Sequence, residues 1–189
     1  ERFNVILSEL PFSVLAAKPA TVGNAGKATL EIIASNLDLC STVELIQSGA
    51  TVRQAEDIFI PDPDVPRAYV RFDLQGVTPG SYDIRVTDRS GAVAAKTLEI
   101  KAGLGPQIGA ALRGPTEVRW RDYIFYVNYG NSGDADGIAP LLIVQNLGAN
   151  SFEIQRDDLT SEAVPAGATL QLLGIGHQGP AGILRPGEL

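Results

Sequence analysis

The chain has 189 residues, enough for one large β domain or two small ones. It carries 15 Lys and Arg against 22 Asp and Glu, a formal net charge of −7. That balance argues against a nucleic-acid surface, where clustered basic residues displace counterions from phosphate, and equally against an anionic membrane surface.

The longest apolar runs, such as PLLIV at 140–144, fall far short of the roughly 20 residues that span a bilayer. No Met occurs anywhere and no basic, then apolar, leader opens the chain. The expectation is a piece of a longer polypeptide, with any export signal outside it. Cys40 is the single cysteine, so an intramolecular disulfide and a Cys-based zinc site are excluded. With no His or basic cluster nearby in sequence to lower its pKa, it reads as a small, partly buried apolar residue rather than a reactive thiol.

In chain order, ERFNVILSEL at 1–10 sets Phe3, Val5 and Leu7 on one face and Ile6 on the other, a strand with no sheet of its own. In KATLEIIAS, Ala28, Leu30 and Ile32 face one way while Thr29 and Glu31 face the other. IPDPDVP holds Asp62 and Asp64, candidates for metal ligation or for the paired carboxylates of glycoside hydrolysis. Each precedes a proline, which favours extended backbone, and no aromatic platform lies near, so a rigid acidic surface loop is the simpler reading.

In RAYVRFDL, Ala68, Val70, Phe72 and Leu74 alternate with Tyr69, Arg71 and Asp73; in SYDIRVTD, Tyr82, Ile84 and Val86 alternate with Asp83, Arg85 and Thr87. One apolar and one polar face per strand is the pattern of an antiparallel sheet lying on a core. The predicted core is Leu30, Ile32, Val70, Phe72, Tyr82, Ile84 and Val86. Tyr82 opens its strand after a Pro–Gly turn, where a sandwich places a tyrosine-corner residue.

Lys101 to Gly109, KAGLGPQIG, is the predicted linker. Beyond it, Trp120 lies between Arg119 and Arg121 and is the candidate sugar-stacking residue, against a core aromatic or one shielded by arginine stems. RDYIFYVNYG is apolar on both faces and predicts a central strand. IAPLLIVQN, SFEIQ and ATLQLLGI predict further strands.

The loop NSGDADG is the sharpest motif. Ser132, Asp134, Asp136 and Gly137 fit a calcium loop with Ser at the first ligand position. The twelfth position, which should be a bidentate Glu, is Ile143, and the flanks are strands rather than helices. Asp134 and Asp136 are therefore weak calcium candidates, and the loop reads as a turn. In that turn Asn131 and Gly133 supply positive φ and the aspartates cap backbone N–H groups. Asp157 and Asp158 read as another turn. His177 is the only histidine and no Gly-x-Ser-x-Gly elbow exists, so no Ser–His–Asp relay is assembled.

Residues 11–102, through GNAGKATLEIIASNL and DLQGVTPGSYDIRVTDRSG, resemble the bacterial Ig-like domains of the IPT/TIG type. YGNSGDADGIAPLLI and GPAGILRPGE resemble the CARDB-like repeats of large secreted bacterial surface proteins, in which one more strand usually follows LRPGE. Residues 1–10 resemble the last strand of a preceding domain.

The resemblance implies an all-β chain of two tandem Ig-like antiparallel β-sandwiches, 11–102 and 106–189, the second lacking its last strand if the family pattern is complete. It implies spacer or adhesive modules of an extracellular or cell-surface protein, with no cofactor. The expected function is a non-catalytic structural, adhesive or assembly module, the alternative being a carbohydrate-binding or enzyme-accessory module. Expected partners are neighbouring domains of the parent chain and a second copy exchanging residues 1–10 as a strand. Carbohydrate is a further candidate, and neither nucleic acid nor membrane insertion is expected.

Overall fold

The structure is a computed structural model that describes residues 11–35, 41–115, 124–155, 160–176 and 179–188. Among the described residues every regular element is a β-strand. The first nine are β1 (Val14–Lys18), β2 (Thr21–Gly23), β3 (Lys27–Ala34), β4 (Thr42–Gln47), β5 (Ala50–Gln54), β6 (Asp57–Phe59), β7 (Arg67–Asp73), β8 (Gly80–Thr87) and β9 (Val93–Lys101). They form a four-stranded sheet in the order β1-β3-β7-β6 and a five-stranded sheet in the order β2-β9-β8-β4-β5. All neighbours pair antiparallel except β2 with β9. This is the strand order of an Ig-type sandwich.

Period-two alternation builds the core between the sheets. The β3–β7 ladder sets Leu30 opposite Val70 and Ala28 opposite Phe72. In the other sheet Tyr82 lies opposite Leu98 and Ile84 opposite Leu45. Leu30, Ile32, Val70, Phe72, Ile84 and Val86 are wholly buried and Tyr82 almost so, as the alternation predicts. The Tyr82 hydroxyl donates to the carbonyl of Thr78 at 2.6 Å, which is the tyrosine-corner bond. Asp62 and Asp64 are exposed, and the Asp62 carboxylate accepts the N–H of Asp64 at 2.9 Å, a short turn of the kind expected there.

Two residues depart from the pattern. Thr29 and Tyr69 sit on the outward, polar face of the β3–β7 sheet, yet both are buried. Their cover comes from the C-terminal part of the chain.

That part comprises β10 (Ile108–Arg113), β11 (Tyr126–Asn131), β12 (Gly137–Ile138), β13 (Leu141–Gln145), β14 (Phe152–Gln155), β15 (Ser161–Val164), β16 (Thr169–Leu173) and β17 (Ile183–Leu184). Among the described residues they pair antiparallel as β10–β11, β12–β17, β13–β16 and β14–β15. β14–β15 continues β13–β16 into one long hairpin. β10 begins inside the segment predicted as linker, and β11 was expected to be central. Among the described strands β11 pairs with β10, and Tyr126 and Val127 are exposed. Apolar residues on both faces of a strand mark it as able to be covered twice; the ladder decides whether it is.

Truncating Phe72 to Ala removes a ring from a closed core and is expected to cost about 3–5 kcal/mol, read as a lower denaturation midpoint with unchanged slope.

Candidate functional site

The described carboxylates that sequence analysis singled out in the C-terminal part lie at the joint between the N-terminal sandwich and the C-terminal strands. A connector, residues 102–107, leaves β9 and enters β10. Its start is tied to the sandwich: the Asn24 side chain accepts the N–H of Gly103 at 2.9 Å and donates to the carbonyl of Val77 at 2.8 Å. The loop that follows β11, residues 132–136, folds against this connector and against β2 and β3.

Asn131, at the end of β11, holds the loop's base. Its side-chain oxygen accepts the N–H of Gln107 (2.9 Å) and of Gly133 (3.0 Å). Its side-chain nitrogen donates to the carbonyls of Ala135 (2.7 Å) and Leu184 (3.0 Å). Both faces of the amide are thus used in a buried position, as a polar group there requires.

Asp134 is buried, and its carboxylate accepts the N–H of Leu104 at 3.0 Å and of Gly105 at 2.9 Å, with Lys101 Nζ at 3.7 Å. Its own carbonyl accepts the N–H of Gly23 at 2.8 Å. Asp136 reaches the outward face of β3. Its main-chain N–H donates to the carbonyl of Lys27, and its two carboxylate oxygens accept the N–H and the hydroxyl of Thr29, all at 2.7 Å. Burial pushes the Asp136 carboxyl above the usual carboxylate range, opposed by the Thr29 bonds and by the charges of Arg71 and Arg185.

A second contact lies beside the first. The guanidinium of Arg185, just after β17, stacks 4.7 Å from the ring centre of Tyr69. Glu188 holds that arginine, accepting its main-chain N–H at 2.8 Å with Nε 3.4 Å away. The Phe59 ring lies 6.3 Å from Tyr69 on the sandwich side. Tyr69 and Thr29 are therefore buried on a face their sequence marks as polar.

The loop was expected to turn through positive φ at Asn131 and Gly133. Neither residue has a positive φ. The turn is made instead by the Asn131 amide, and Gly133 is required for space. A Cβ there would run into the carbonyl of Gly105 and within 2.8 Å of the Pro106 carbonyl carbon. The capping role expected of the aspartates is present, but the N–H groups they take belong to the connector and to β3 rather than to their own turn. The oxygens of Asp134 and Asp136, the calcium candidates, are thereby engaged by N–H and O–H donors. Among the described residues no group of three or more His, Cys, Asp or Glu comes together.

Cys40, Arg119, Trp120, Arg121, Asp157, Asp158, His177 and residues 1–10 lie outside the described residues. The residues the sequence reading missed are Asn131 as a clamp, Arg185, Thr29 and Tyr69. No selective signal marks the first: Asn-x-Gly occurs at 131–133 and 146–148, but also at 24–26 and 128–130.

A groove of about 200 Å³ runs along the joint between Pro19, Lys101, Leu104, Gln107, Asp134 and Pro186. That is below the usual volume of a small-molecule site.

No family model matches the sequence, and no significant match occurs among curated proteins. Among solved structures, the crystal structure of DIP-gamma IG1+IG2 aligns over 84% of this chain and 81% of that chain at 12% identity, with a TM-score of 0.27. So distant a likeness bears on neither function nor detailed geometry, and the Ig-type assignment rests on the strand order above.

Replacing Asp134 by Ala leaves the N–H groups of Leu104 and Gly105 without acceptors, a cost of about 1–3 kcal/mol for each group kept from water. The expected readout is faster amide exchange at Leu104 and Gly105 with protection at Ile84 retained.

The Asp136 shift fixes a pH dependence. Its pKa is raised in the folded state, so the native chain binds more protons between the ordinary Asp value and the raised one. Its contribution is fully present below the ordinary value and is lost as pH rises through the raised one. Urea midpoints measured from pH 4 to 7 should carry this slope in the native chain and lose it in Asp136→Asn, whose amide stays neutral.

Proposed function

We propose that the chain is a non-catalytic structural module of a larger extracellular bacterial protein, built of two β-sandwich domains over 11–102 and 106–189. Its task is to hold neighbouring parts of its parent in a fixed relative orientation. The observation that carries this reading is the joint: the side chains of Asp134, Asp136, Asn131 and Arg185 bond or stack on the connector and the sandwich. The surface setting follows from the resemblance of both halves to modules of secreted bacterial proteins, and the joint is the feature such a spacer needs. Among the described residues, no helix is long and apolar enough to cross a membrane.

Residual dipolar couplings measured on the full chain test the proposal. One alignment tensor for both halves, splitting into two in the Asp134→Ala/Asp136→Ala variant, is the expected result. Two tensors in the unsubstituted chain, or hydrolase turnover abolished by His177→Ala, would overturn it.

A second reading is favoured by the exposed Phe125 and Tyr126, which follow Trp120 in sequence. In this reading Trp120 and the neighbouring tyrosines would stack on sugar rings. Saturable polysaccharide binding lost in both Trp120→Ala and Tyr126→Ala would select this reading.

A further inference from the structure

The Asn131 clamp has a second copy. Asn146 comes directly after β13, and Asn131 is the last residue of β11. Its side-chain oxygen accepts the N–H of Gly148, two residues on, at 3.0 Å. Its side-chain nitrogen donates to the carbonyl of Asn150, four residues on, at 2.8 Å, and to that of Val164 at 3.0 Å. Asn131 bonds Gly133, Ala135 and Leu184 in the same pattern. The main chains match as well. The N–H of Asn146 donates to the carbonyl of Ala168 and its carbonyl accepts the N–H of Gly167, while Asn131 does the same with Glu188 and Gly187. Both glycines have positive φ, 76° and 74°.

The copies differ in what lies on the other edge. At the first clamp an extended segment occupies it: Gln107 gives its N–H to the Asn131 side chain and its carbonyl takes the N–H of Ser132 at 3.0 Å, leading into the β10–β11 ladder. At the second clamp the bonds from Gly174 to Pro140 and from Asn146 to Ala168 set the phase of the β13–β16 ladder. Even-numbered residues face β16. The N–H and C=O groups of Leu141, Ile143 and Gln145 therefore point to the opposite edge, together with the N–H of Leu147. Among the described strands none pairs with that edge.

Nothing on the edge discourages pairing. LLIVQ contains no charge and no proline, the usual means of blunting an exposed strand. Leu141, Ile143 and Leu147 are 58%, 64% and 86% exposed.

We propose that the outer edge of β13, with the Asn146 amide, is an acceptor site for an extended segment of another polypeptide, bound by strand addition. The occupied copy fixes the chemistry of the occupant. It is an extended, mainly apolar stretch like GPQIGAALR at 105–113, presenting an N–H to the Asn146 oxygen and a carbonyl to the N–H of Leu147. The joint supplies only the template, through Asn131 and Gln107; the acceptor residues, Leu141 to Leu147, lie outside it.

A fluorescein-labelled peptide of sequence GPQIGAALR, titrated into the full chain, tests the site by anisotropy and by amide shifts. Saturable binding that moves Leu141, Ile143, Gln145 and Leu147 is expected. Ile143→Pro deletes an N–H that points away from β16, so it should leave the hairpin folded yet weaken binding about tenfold or more. Should that variant unfold, the unsubstituted protein is titrated with the peptide N-methylated at its Gln, which should bind about tenfold more weakly. No saturable binding, or binding insensitive to both changes, would overturn the proposal. So would a dimer, seen by light scattering and abolished by Ile143→Pro, that the peptide does not disperse, since the edge would then serve a second copy.

Discussion

The C-terminal strands are fixed to the sandwich by carboxylates that accept main-chain N–H groups. A connector that leaves one sheet and enters another passes through residues whose N–H groups neither ladder uses. At Leu104 and Gly105 those donors lie in a part-buried or buried place, where an unpaired amide is unfavourable. Asp134 satisfies both. Because the bonds run from a side chain to the backbone, they constrain geometry at the connector more than side-chain identity. The constraint appears as space: Gly133 packs against Pro106 and Gln107, and a Cβ on Gly103 would meet the main-chain nitrogens of Asn24 and Ala25 within 2.8 Å.

Asn131 and Asn146 show why the amide, rather than a carboxylate, sits at the strand ends. Each must accept from a nearby N–H and donate to two carbonyls on separate segments. Asp could only accept when ionised, and Ser has one proton to give. Asp136 faces the opposite demand, a donor pair on Thr29, and a carboxylate answers it. The penalty for keeping that carboxylate partly from water is visible in its raised pKa, which the Thr29 bonds only partly offset.

Much of the sandwich was legible. Alternation assigned Leu30, Val70, Phe72 and Ile84 to the core, because a pleated strand alternates its side chains whatever lies beyond it, and the Pro–Gly turn before Tyr82 assigned that residue to its corner. The joint was legible only as a polar loop. NSGDADG displays acceptors, and acceptors suit a cation, a turn or a remote amide equally well. Which donors meet them depends on residues about 30 positions away for Asp134 and 107 away for Asp136.

Thr29 and Tyr69 mark the boundary between the two kinds of knowledge. The sequence by itself determined that each lies on the face of its strand opposite Leu30 or Val70, through the two-residue period, and the β3–β7 ladder brings the two faces together. Only the tertiary structure decided that this face is covered at those two positions, by Asp136 and Arg185. Side-chain phase is set by local covalent geometry and is written into the order of residues. Burial is set by what another part of the chain brings within bonding distance.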